Sequence, residues 1–96
     1  LKASKQRPAL IISNDYYNSK VEDIVICGIT SNIKEEDFSV ILSQKDMSEG
    51  DIFFLSRIKV DKLFTINKSI IKRKLGRVNK SILEKVKEEL IKLIKN

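Results

Sequence analysis

Ninety-six residues with 42% hydrophobic and 33% charged side chains, one Pro and three Gly describe one folded domain, 1–96, and exclude collagen-like, disordered and low-complexity classes. One cysteine, Cys27, and no histidine leave no internal disulfide and make a metal site improbable, because a zinc ion would need at least two carboxylates. The net charge of +6 is uneven: residues 1–48 hold six basic and seven acidic groups, whereas Arg57–Lys80 holds nine Lys or Arg against the single acid Asp61, which points to a phosphate backbone or an acidic protein segment as partner.

In chain order, the polar opening K-A-S-K-Q-R-P leads through Pro8 into Ala9–Ile12, a short apolar run that predicts a strand. Asn14–Lys20 is expected to be a polar loop, with Tyr16 and Tyr17 available to pack as a lid. Val21–Ile29 has the β-branched density of a buried strand and ends at Thr30-Ser31. A charged connection, Asn32–Asp37, precedes the apolar segment Phe38–Leu42, and Ser43–Gly50 is composed of turn residues. Ile52–Leu55 fits a strand or a turn of helix. Ser56–Thr65 alternates as a strand with one face to water, its phase interrupted near Lys62 by a bulge or bend. A turn at Asn67-Lys68-Ser69 and a return strand over Lys72–Val78, with Gly76 at its crowded point, complete the β portion.

The C-terminal segment is the one clear helix. Ser81 with Glu84 fits a capping box, and Ile82, Val86, Leu90 and Ile94 form an apolar face. Several short strands and one helix predict a small barrel or strongly curved sheet capped by that helix. No run is long and apolar enough for a membrane span and no N-terminal signal segment is visible, so a cytoplasmic location is expected. Glycine-rich phosphate loops are missing too, and no cofactor is expected.

Without histidine, chemistry falls to Arg, Lys, Asp, Glu, Tyr, Ser and Thr. Arg7 at a strand entrance has the donor fork that holds or protonates phosphoryl oxygens, but it is equally an ordinary exposed cation. Thr30 at a strand end can donate to a phosphate oxygen. Asp61, two residues from Lys59 on one strand face, brings a proton acceptor and a cation together, or forms an ion pair that only relieves repulsion among lysines. Cys27 reads as a small core residue.

The ordered set R-P-A-L-I-I-S, I-T-S, V-D-K-L-F-T-I and K-L-G-R-V before the final helix resembles the MazF/PemK family of toxin endoribonucleases over almost the whole chain. The resemblance implies an SH3-like β-barrel that dimerises, cleaves single-stranded mRNA sequence-selectively without a metal, and is neutralised by an antitoxin with a flexible acidic segment. By the same resemblance Arg7 and Thr30 match the family's phosphate-associated positions, and Lys59 and Asp61 match an Arg-x-Asp pair acting as acid or phosphate contact and as base. Lysine in place of that arginine leaves the general acid open between Arg7 and Lys59. Lys5, Asn14, Arg57 and Lys62 are candidate RNA contacts. Family members carry a G-D-I-V-type strand and a loop ahead of the R-P motif, so the barrel is expected to lack that first strand, either because it lies upstream of Leu1 or because the protein is shortened. The competing function on the same barrel is a non-catalytic nucleic-acid-binding protein or topoisomerase poison, as in the related CcdB-like toxins.

Overall fold

A computed structural model describes residues 6–96. Six strands and two helices follow one another as β1 (Ala9–Ile11), α1 (Asp15–Lys20), β2 (Asp23–Thr30), β3 (Ser39–Leu42), β4 (Met47–Gly50), β5 (Ser56–Asn67), β6 (Gly76–Val78) and α2 (Lys80–Ile94). The main sheet is antiparallel in the order β1-β2-β5-β3, and β4 pairs with β6 in a separate ribbon. The sheet curls into a half-barrel against α2, so the mainly β fold with a C-terminal helix is the one that forms.

The long strand β5 sets the geometry. Ser56, Ile58 and Val60 are buried while Arg57 and Lys59 alternate outward, so one strand lays the core and one wall of a cleft with the same five residues. Ile58 and Val60 are fully buried with Cys27, Leu42 and Ile82. The helix brings Ile82 and Val86 onto β3 and β5, each side chain worth about 1.5–3 kcal/mol when fully removed from water. Leu90 is only partly buried and Ile94 is exposed, so the four-residue apolar stripe packs through its first half.

Pairing of β2 with β5 breaks between Cys27 and Gly28: Gly28 faces Lys59, but Cys27 faces Leu63. Three residues of β5, Val60, Asp61 and Lys62, therefore span one step of β2, which is the bulge expected near Lys62. An odd insertion reverses the side to which later residues point. It brings Phe64 onto the row Ile11–Ile26–Phe64 across β1, β2 and β5, where Ile11 is 44% and Phe64 54% exposed.

Several local expectations differ from the structure: Ile52–Leu55 forms neither a strand nor a helical turn, and the return strand is confined to Gly76–Val78. Asn14–Lys20 is a helix rather than a loop, because the Asn14 side chain caps it by accepting from the Tyr17 N–H at 2.8 Å, and Ser13 and Asn18 bond each other twice. The segment read as turn residues, Ser43–Gly50, holds a 3-10 turn at Gln44–Asp46 and the strand β4; its partner β6 supplies the ladder that a Met-Ser-Glu-Gly sequence does not advertise. Here a Cβ on Gly76 would overlap the Glu49 carbonyl, which is why the crossing point is glycine. Finally, α2 is capped by Asn79, whose Oδ1 accepts from the Ile82 N–H at 3.0 Å, while Glu84 pairs with Lys87 instead of reaching back to Ser81.

Cys27 is fully buried, and burial first, then the nearby Asp61 charge, push its thiol from an ordinary value of 9.0 to about 11. Because the folded-state value is raised, the contribution to stability is intact below pH 9 and declines as pH rises through about 11. Labelling by a thiol reagent at pH 8 is expected to follow global unfolding across a denaturant series. Rapid labelling of the native protein would contradict this.

Candidate active site

The outer face of the sheet is assembled by register. Lys59 lies between Gly28 of β2 and Ser39 of β3, and Arg57 lies between Thr30 and Ile41. On the other side of β2, Ala9 pairs with Gly28, and the Ile29 N–H donates to the Pro8 carbonyl at 3.2 Å, which ties the segment carrying Arg7 beside the same strand. A cleft of about 530 Å³ results, lined by Arg7, Thr30, Lys59 and Lys62 together with Gly28, Ile29, Asn32, Glu36 and Phe64. Gly28 forms its floor without a side chain.

Lys59 is the most enclosed of the three cations described in the cleft, with 12% of its side chain exposed, whereas Arg7 and Lys62 are exposed. Its Nζ contacts the Glu36 carboxylate and stands 3.9 Å from Asp61 Oδ1. Asp61 does not line the cleft; it borders it through Lys59 and is 35% exposed. Thr30 Oγ1 accepts from the Asn32 N–H at 3.1 Å, which leaves its own hydroxyl proton to donate.

The further candidates divide. Lys62 joins the cleft. Arg57 gives its guanidinium to the fold, donating from Nη1 to Ser39 Oγ at 3.1 Å and from Nη2 to the Ile33 carbonyl at 3.3 Å. Asn14 is the α1 cap and is not among the lining residues. Lys5 lies outside the described residues. Sequence reasoning missed Glu36, Asn32 and Phe64. The first two sit in a charged connection without periodicity, and Phe64 reaches the cleft only because of the bulge.

Lys59 holds the Glu36 carboxyl below its usual range, first through the hydrogen bond and then through its charge, with Lys34 and Lys62 adding smaller attractions. Glu36 is therefore an anion throughout the neutral range, on a cleft wall otherwise furnished with cations.

A family model described as "PemK-like, MazF-like toxin of type II toxin-antitoxin system" matches residues 2–94. The chain belongs to this family. Among solved structures, this PemK/MazF-like chain is similar to an endoribonuclease in complex with its cognate antitoxin from a Mycobacterial species, at 22% identity and a TM-score of 0.77 over 90% of this chain and 78% of that one. It is similar to the Mycobacterium tuberculosis toxin MazF-mt6, at 17% identity and a TM-score of 0.74 over 90% and 83% of the two chains. It also resembles Deinococcus radiodurans MazF in a MazE–MazF structure, at 22% identity and a TM-score of 0.77 over 95% and 84%. No curated protein matches the sequence significantly. At these identities the structural likeness carries the fold, and the PemK/MazF-like family assignment rests on the match along the sequence. No helix among the described residues is long and apolar enough to cross a membrane.

Proposed function

We propose that the protein is a cytoplasmic, metal-independent endoribonuclease toxin that cleaves single-stranded mRNA at selected sequences. The observation that carries this reading is the convergence of Arg7, Thr30 and Lys59 on one cleft, with Asp61 3.9 Å from the Lys59 ammonium. These are the groups required to move a proton, hold a phosphate and neutralise developing charge.

In the reaction, Asp61 takes the proton of the ribose 2′-OH as that oxygen bonds to the adjacent phosphorus. The bond from phosphorus to the 5′ oxygen breaks, and the leaving oxygen receives a proton from Arg7 or Lys59. Thr30 donates to a non-bridging oxygen, and whichever of Arg7 and Lys59 is not the acid balances the charge on phosphorus. The products carry a 2′,3′-cyclic phosphate and a 5′-OH. DNA has no 2′-OH and is expected to bind without reacting. Incubating the protein with a mixed-sequence RNA and the same-sequence DNA in the presence of a chelator tests the reading. Cleavage of RNA alone is expected; binding of both without cleavage would favour the non-catalytic toxin.

Two partners accompany this function. A second copy of the chain would cover the exposed row Ile11–Ile26–Phe64 beside the cleft, giving a homodimer with a composite RNA groove. The endoribonuclease from a Mycobacterial species named above is in complex with its cognate antitoxin, and the Deinococcus structure pairs MazF with MazE. An antitoxin with an acidic, flexible segment suits the basic stretch Arg57–Lys80, folding along it in competition with RNA.

A further inference from the structure

Among the described residues that line the cleft, Glu36 is the one acid, and it faces the charge of any phosphate that enters. It is no random surface side chain. The connection carrying it, residues 31–38, is fastened at several points: Arg57 Nη2 donates to the Ile33 carbonyl, the Ser39 hydroxyl donates to the Glu36 carbonyl, and Arg57 Nη1 donates to that same hydroxyl. At its far end the Val60 N–H, within the bulge, donates to the Phe38 carbonyl at 3.0 Å. Phe38 itself is held at φ 57°, a left-handed conformation that a bulky side chain adopts only where its surroundings impose it. Together these anchors present the Glu36 carboxylate to the Lys59 ammonium.

We propose that Glu36 is a resident competitor for Lys59, its carboxylate occupying the position on the ammonium that a substrate phosphate oxygen requires. For the identity of that phosphate the inference rests on the nuclease reading. Lys59 is nearly enclosed, with 12% of its side chain exposed, and both it and Glu36 line the cleft, so a phosphate oxygen entering there would compete with the Glu36 carboxylate for the ammonium's hydrogens. Displacement is feasible because the Glu36 side chain is half exposed, so water receives it when it leaves, and an ion pair with an exposed partner is weak. A polynucleotide phosphate, with Arg7 and Thr30 as additional donors, makes several charge-assisted bonds where Glu36 makes one. The consequence is selectivity by size: a lone phosphate has only the donors of this one cleft with which to displace Glu36, whereas RNA adds contacts from neighbouring nucleotides.

The test compares the wild type with Glu36→Gln and Glu36→Ala in two assays. Inorganic phosphate is titrated while the amide signals of Gly28 and Thr30 are followed by NMR, and RNA cleavage is measured over a range of substrate concentrations. Both variants are expected to bind phosphate about fivefold more tightly, the upper range for an ion pair of this exposure, and to raise kcat/KM through a lower KM. In a Lys59→Gln background, adding Glu36→Gln is expected to give no such gain. Unchanged phosphate affinity and KM in variants that still cut RNA would overturn the inference. So would a fall in kcat of a hundredfold or more in Glu36→Gln, which would make this carboxylate the base. If tighter phosphate binding appears while neither wild type nor variants cut RNA, the competition stands and the nuclease reading fails.

Discussion

Asp61→Asn is expected to slow RNA cleavage at saturating substrate by about 10²–10⁴-fold, the usual contribution of a general base. The substitution keeps the shape of the side chain, and at 35% exposure the lost charge leaves no buried group unpaired, so folding and RNA affinity should change little. It removes the second anion near Lys59, leaving Glu36 as that ammonium's partner. It also removes one of the two influences that raise the Cys27 thiol, so the thiol should titrate somewhat lower. Single-turnover rates at saturating RNA, with affinity measured separately, give the result. A rate close to wild type would take Asp61 out of the base role.

Ile58→Ala is expected to cost about 2–5 kcal/mol of folding stability, a large part of the 5–15 kcal/mol typical of a whole domain. Ile58 is fully buried on the central strand, opposite Ile29 on one side and Val40 on the other, so both neighbouring strands line the space its side chain would vacate. The loss should also reach the chemistry, because Ile58 lies between Arg57 and Lys59 and fixes the direction in which both point. Urea denaturation should show a lower midpoint with an unchanged slope, and a shift below about 1 kcal/mol would mean that the core closes over the gap.

The strands were legible where hydrophobic spacing is locally determined: Ala9–Ile11, Asp23–Thr30 and Ser56–Asn67 all form where apolar runs predict strands, and the alternating part of Ser56–Asn67 buries Ser56, Ile58 and Val60 as its pattern predicts. The helix α1 and the strand β4 were hidden because both are built of polar residues. Their support does not show in hydrophobic spacing: α1 rests on the Asn14 cap, the Ser13–Asn18 bonds and a distant donor, Lys68 Nζ to the Asn18 carbonyl, and β4 on its pairing with β6. The same division runs through the site. Arg7, Thr30 and Lys59, candidates by residue type at strand ends and on a strand face, come together on one cleft because their positions follow from the strand pattern. The role of Arg57 as a fastening for the 31–38 connection, and the approach of Glu36 to Lys59, depend on a loop path that no periodicity encodes.

A strand with a bulge of odd length has something like a reading frame. Before Val60, the outward positions of β5 are the odd-numbered Arg57 and Lys59; after Lys62, the even-numbered Phe64 takes that side. Substitutions at residues 60–62 alter single side chains, whereas inserting or deleting one residue there would act as a frameshift, exchanging the sheet face to which each residue from Leu63 to Asn67 points. Lys59 and Phe64 line one cleft only while this count is kept. Length at the bulge is therefore under tighter constraint than the chemical identity of most of the residues that compose it.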